Sequence, residues 1–478
     1  AGTYTRLGTT YPPLSPVAWS SFGTGANPGK HNIFDFLSPN RGDYRPAISS
    51  VRIRPARRTM KLGKYIIPLS KPQIISLRKS KPFWTVLGEA GVFSSVLRVP
   101  ITFPPDRFHG VQLSAMCVPD LLGSQGTFFY YVESGEAGAT TDGDVGGRRV
   151  LITRNGKGVQ SNLCGPANPL RHDQAEMRLA FKVLPGKNGN GLLYLDGQKI
   201  HLPLNGYSDW VRFSFRAMPG MKISGVCRFF LKRIEHPFSM YCTPIQIDPA
   251  RPVMPISHPR VYAIYLAKLL GTYATLGLAE DTWSLSEGAL AEDAFLQQSY
   301  DIHRERERML FDALKRVRRG SVVCVFDAPD RIQHMFWRFL DEQHPALAGG
   351  PNTHPHAIPE MYVKMDQLVG RVMKEIDQDS ALFVMSDHGF KPFRRGVDLN
   401  AWLLASGYLK LKDDAGSSSS PYLADVDWSR TKAYAIGLAG IYVNQRGREA
   451  QGIVDKGDPT REIVSELKQK LEDLRDPE

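Results

Sequence analysis

The spacing of hydrophobic and polar positions divides the chain into three stretches. Residues 1 to about 120 alternate helix-like and strand-like segments, and 83–93 reads as a helix running into a strand. Beyond Leu122 the runs shorten: 149–153, 176–184, 191–195, 199–204 and 209–215 alternate apolar and polar residues between Gly and Asn turns, which predicts an all-β unit. Residues 135–147, rich in Gly, Thr and Asp, predict a flexible connector. Helical spacing returns at 260–272 and 289–317, where the alternating charges from Arg304 to Arg308 read as a solvated face. Two apolar strand-like runs, 321–326 and 381–385, come next, and Ser417–Ser420 predicts a short link before a strand region at 432–444. The expected fold is therefore α/β, with core segments at 1–120 and 248–478 and an inserted, mostly β domain at 121–247.

Both late apolar runs end in acidic and histidine clusters. The first breaks at Asp327-Ala-Pro329 and continues as Asp330-Arg-Ile-Gln-His334; on a helix, residues four apart share a face, so Asp330 and His334 can close on one ion. The second ends in Ser386-Asp387-His388-Gly389, where glycine permits a sharp turn and adjacent side chains can point at one metal. Alone, either pattern is equally well a helix-start carboxylate with a surface imidazole, or an ordinary loop. Together, each after a strand-like run, they point to divalent cations held by carboxylate oxygen and imidazole nitrogen.

A nucleophile is offered by Pro12-Pro-Leu-Ser15-Pro. The flanking prolines restrict the backbone at Ser15, and the following run reads as a helix that ends by Gly25. A hydroxyl at a helix N-terminus beside two cations loses its proton more easily and can attack phosphorus. The competing reading makes Ser15 a simple helix cap.

The run from Pro12 to Phe36, the Asp330/His334 segment followed by Met335-Phe-Trp337, and the turn from Ser386 to Phe390 resemble the alkaline phosphatase superfamily, in its branch of type I phosphodiesterases and nucleotide pyrophosphatases and, more narrowly, its bacterial phosphohydrolases. The resemblance extends over nearly the whole chain. It implies a parallel α/β core, two divalent metal ions, usually zinc with manganese as the alternative, and a transiently phosphorylated serine. Ser15 falls at the nucleophile position, Asp387 and His388 on one metal, Asp330 and His334 on the other. Such an enzyme hydrolyses phosphate monoesters or diesters; a phosphomutase of the same superfamily and a non-catalytic binding relative are the alternatives.

Three departures qualify the resemblance. The family takes a further Asp from a strand upstream of the nucleophile, yet residues 1–14 contain no acidic residue; it takes a further His near the end of the core, yet none follows His388. The expectation is that the chain is an internal fragment, with each metal one ligand short and activity impaired. The phosphate-contacting Asn of nucleotide pyrophosphatases would fall near Phe36, so phosphate esters in general are a better expectation than nucleotides.

Composition adds boundaries. With 478 residues and 42% hydrophobic content the chain can bury a large core in two or three domains, and no run is long enough to cross a bilayer. Five scattered cysteines without a Cys-x-x-Cys pair argue for reduced thiols and a cytoplasmic setting. The formal charge of +12 is spread out, which gives no nucleic-acid module; its densest cluster, Arg52 to Lys64, reads as a solvated loop, or as a docking patch for an anionic substrate or membrane surface.

Overall fold

A computed structural model describes residues 2–133, 146–156, 158–347, 350–413, 423–438 and 440–475. The 135–147 connector, apart from its last two glycines, and the 417–420 link lie outside the described residues.

The sheet that leads to the candidate site has four strands, in the order Ser257–His258, Gly110–Leu113, Ser94–Leu97 and Ser321–Cys324. The last three run parallel, and Ser257–His258 is antiparallel to its neighbour. Ser94–Leu97, flanked on both sides, is buried at every position, whereas Ser321–Cys324 at the edge is only half-buried. Helices Val261–Leu270 and Glu292–Arg316 pack against this sheet.

The second of these helices buries Phe295, Ser299, Ile302, Arg306, Met309 and Ala313, positions separated by steps of three and four that form one stripe. That stripe overturns the solvated-face reading of Arg304–Arg308. Only Arg304 and Arg308 face outward. Glu305 is buried and accepts hydrogen bonds from Trp210 Nε1 at 2.9 Å and Ala274 N at 2.8 Å. Arg306, also buried, donates to Asp327 Oδ2 at 2.6 Å. Helical periodicity placed these two charges inward, and each found a partner there.

The strands expected in the middle of the chain form. Glu176–Pro185 pairs antiparallel with Gly158–Ala167 and Gly191–Leu195 in a five-stranded sheet. In Val211–Met218, Val211, Phe213, Phe215 and Ala217 are buried while Arg212 and Arg216 are exposed, the two-residue period of a strand with one face on a core. Among the described residues, 122–239 contain strands and one short 3-10 turn but no α-helix. Phe181, Phe213 and Phe229 share a continuous apolar cluster with Leu97, Leu113 and Met309.

Two further expectations are corrected. Residues 381–385 form no strand: they are exposed coil, with Phe383 86% and Val384 66% exposed. An apolar run becomes a strand only when a neighbour accepts its ladder bonds, and this run has no such neighbour among the described residues. The basic cluster, in turn, is not a loop. Val51–Arg54 pairs with Gln73–Ser76, and Thr59–Leu62 with Tyr65–Pro68, as two antiparallel ribbons.

The C-terminal part adds a hairpin of Ala433–Ile436 and Gly440–Val443 with helix Asp458–Glu472. It is tied to the N-terminal segment. Tyr44 stacks on Trp428 at 3.7 Å between ring centroids and donates to Asn444 Oδ1 at 2.9 Å, while Asp35 Oδ2 accepts from Leu438 N at 2.8 Å. All five cysteines are free thiols.

Candidate active site

Ser15 opens the helix Ser15–Thr24, which Pro16 fits because a first-turn N–H has no intrahelical acceptor to lose. The cap position is Leu14, without a side-chain bond, so Ser15 is the first helical residue and its hydroxyl is not spent on capping. Gly25, in the left-handed conformation, ends the helix where the sequence indicated.

Asp330 and His334 lie on helix Ala328–Phe336, which begins four residues after strand Ser321–Cys324. As the four-residue spacing required, His334 Nε2 comes within 3.3 Å of Asp330 Oδ1. Asp387 and His388 lie on a turn with no strand before it, so of the two motifs only the first sits at the end of a parallel strand. The turn is nevertheless held: Ser386 Oγ donates to His388 O at 2.5 Å, and Thr9 Oγ1 donates to Asp387 O at 2.6 Å.

Ser15, Asp330 and Asp387 converge on His388, whose ring centroid lies 6.4 Å from that of His334. His388 Nε2 lies 3.1 Å from Ser15 Oγ, 3.6 Å from Asp330 Oδ1 and 3.7 Å from Asp387 Oδ2. Its Nδ1 sits 3.0 Å from Gly389 O, and because a carbonyl can only accept, Nδ1 carries the proton. The Nε2 lone pair is therefore free to accept the Ser15 hydroxyl, or to serve as a ligand. Phe390 braces the histidines: its ring centroid lies 4.8 Å from that of His334 and 5.4 Å from that of His388, and it stacks on Trp337 at 5.7 Å.

The two carboxylates differ in environment. Burial raises the Asp387 pKa by more than the neighbouring His388 imidazole and the Ser15 hydroxyl lower it, so the net direction is up. Burial also pushes Asp330 up, but His334, Arg331 and His388 together outweigh it and its pKa is lowered. Asp330 Oδ1 and Asp387 Oδ2 are buried without a hydrogen-bond partner; the approach of His334 is close, but its angle is not that of a hydrogen bond.

Two orphaned carboxylate oxygens beside two imidazoles are a donor set that suits zinc or manganese. Among the described residues, however, no group of three or more His, Cys, Asp and Glu side chains is arranged to hold a metal ion. His354, of the His354-Pro-His356 loop, turns instead to Asp293 at 3.0 Å.

Beside the site lies a buried ionic group that sequence reasoning missed. Arg306 Nη2 contacts Asp327 Oδ2 at 2.6 Å and Glu280 Oε1 at 3.8 Å. Asp327 O accepts from Arg331 N at 2.9 Å, so this group fixes the first turn of the helix that carries Asp330 and His334. The signal was present: the apolar stripe of 295, 302, 309 and 313 includes position 306 by spacing.

Among the described residues no helix is long and apolar enough to cross a membrane. A family model described as Type I phosphodiesterase / nucleotide pyrophosphatase matches residues 1–121 and 240–478 and leaves 122–239 unmatched. No curated protein and no solved structure matches.

Proposed function

Because the chain belongs to the type I phosphodiesterase / nucleotide pyrophosphatase family, whose members hydrolyse phosphate esters, we propose that it cleaves phosphate mono- or diesters through a phosphoserine formed on Ser15. Asp330 and His334 would hold one divalent ion and Asp387 and His388 the other, zinc by preference and manganese as the alternative. When bound, such ions supply charge stabilisation for the phosphoryl oxygens and a lowered hydroxyl pKa. Residues 1–120 and 248–478 are read as the two parts of an α/β metallohydrolase core and 121–247 as an inserted β-rich domain. The unmatched stretch 122–239 and, among its described residues, the lack of α-helix support that division.

The observation that carries the proposal is the 3.1 Å approach of Ser15 Oγ to His388 Nε2, beside two buried carboxylate oxygens without partners. Ser15 Oγ gives its proton to solvent as it attacks phosphorus, the P–O bond to the leaving alcohol breaks, and the alkoxide takes a proton from solvent; water then attacks the phosphoserine, the bond from phosphorus to Ser15 Oγ breaks, phosphate leaves, and Oγ takes back a proton. His388 contributes by orientation. Its Nδ1–H is fixed on the Gly389 carbonyl, so Nε2 and the Ser15 hydroxyl keep one mutual geometry. The helix N-terminus at Ser15 favours the negative charge that develops there.

Ser15→Ala tests the route. With zinc supplied in excess, turnover of an aryl phosphate ester should fall from the parent's level to background while zinc affinity stays unchanged, because the carboxylate and imidazole groups remain. Activity within a few fold of the parent would rule out the phosphoserine.

A further inference from the structure

Between Asp43 and Glu89 the chain has eleven lysines and arginines and no acidic residue. The outer part of this segment is the pair of ribbons built from Val51–Arg54 with Gln73–Ser76 and Thr59–Leu62 with Tyr65–Pro68. Arg52, Arg54, Arg57, Arg58, Lys61 and Lys64 are all exposed, and none has an acidic partner among the described residues. A merely solvated face mixes both signs of charge; this one does not.

The ribbon is also apolar where solvent would favour polar side chains. Its register puts Met60 opposite Ile67 and Leu62 opposite Tyr65, so these four share a face. Met60 is 46%, Leu62 58% and the neighbouring Leu69 60% exposed. The arm is nonetheless braced by its other edge: Ile66 N donates to Leu170 O at 2.8 Å and His172 N to Lys64 O at 3.2 Å. A held ribbon that shows cations and aliphatic side chains together matches a surface that is itself anionic and apolar.

We infer that this arm docks the protein on an anionic phospholipid membrane, with the basic side chains on the headgroup phosphates and Met60, Leu62 and Leu69 at the acyl boundary. The inference is independent of the hydrolase reading. Charge complementarity selects an anionic partner, and the aliphatic face favours lipid over nucleic acid: phosphate contacts alone give Met60, Leu62 and Leu69 nothing apolar to bury against, and single strands are gripped by stacking on exposed aromatic rings, whereas the arm's one ring, Tyr65, is half-buried.

Cosedimentation of the 478-residue chain with phosphatidylcholine vesicles, with and without phosphatidylserine, tests it. The parent should bind only the anionic vesicles and lose binding as salt rises. The triple variant Arg57→Gln, Arg58→Gln, Lys61→Gln should lose about a hundredfold in partitioning, since each basic side chain at a membrane surface contributes about a factor of five. Met60→Ser with Leu62→Ser should weaken binding while the salt dependence stays. Because these side chains are exposed, all variants should melt with the parent. Failure of the parent to bind anionic vesicles, equal binding by the triple variant, or tight binding to single-stranded DNA without binding to vesicles would overturn the inference.

Discussion

Replacing Arg306 by Met should destabilise the protein severely and in a pH-dependent way. Arg306 is 2% exposed, its partner Asp327 8% and Glu280 2%, so the substitution leaves two carboxylates in the interior with no cation between them. Breaking a buried pair from one side costs about 3–5 kcal/mol. Glu280 sets the pH dependence. Burial already raises its pKa, Arg306 is the largest opposing influence, and neither carboxylate oxygen has a hydrogen-bond partner. Without Arg306 the folded-state pKa rises further. A carboxyl group whose folded pKa lies above its unfolded value contributes stability that is complete below the unfolded value and is lost as pH rises through the folded one. The deficit of Arg306→Met should therefore be smaller at pH near 5 than near 8. Urea unfolding followed by circular dichroism at both pH values measures it. The triple variant Arg306→Met, Glu280→Gln, Asp327→Asn should recover most of the loss, because no charge is then left unpaired. A loss below about 1 kcal/mol, or one equal at both pH values, would refute the reasoning.

Two further outcomes are expected. His31 is fully buried; it accepts a bond from Ile33 N on Nδ1, and its Nε2 is 3.0 Å from Ser21 Oγ. Burial, with the Arg78 charge adding to it, lowers its pKa to about 4, so its contribution is intact above pH 6.5 and is lost as pH falls toward 4, about 3 kcal/mol in all. His31→Gln should flatten the fall in thermal midpoint between pH 7 and 4, and an unchanged slope would rule this out. For the metals, one Asp and one His per ion is a weak set, so less than one zinc per chain should survive dialysis; two tightly held zinc ions by metal analysis would mean that other ligands complete the sites.

What the sequence disclosed about this molecule follows the range of the forces involved. The approach of Asp330 to His334 was legible because a four-residue spacing on a helix is local geometry, and the helix Ser15–Thr24 because proline and glycine mark its ends. The strand Val211–Met218 declared itself by alternation. Residues 381–385 misled for the opposite reason: a strand is a relation between two segments, and one segment's hydrophobicity does not supply the other. Arg306 was misread by residue type although its spacing was correct. The stacking of Tyr44 on Trp428 and the bond from the Leu438 N–H to Asp35 join positions nearly the whole chain apart, and no local pattern encodes such a meeting.

The bare run at 381–385 has a consequence for how the protein behaves in bulk. Leu382, Phe383, Val384 and Met385 are 41%, 86%, 66% and 44% exposed, with no charge among them, and among the described residues Ser321–Cys324 ends its sheet with one side unpaired. Each molecule thus displays both a sticky β-forming segment and an open strand edge, the two halves of an intermolecular sheet. Self-association should be second order in protein concentration, fast in a concentrated stock and negligible in a dilute one. A lysine introduced at Val384 would act as a gatekeeper, and the yield of monomer on concentration would report it.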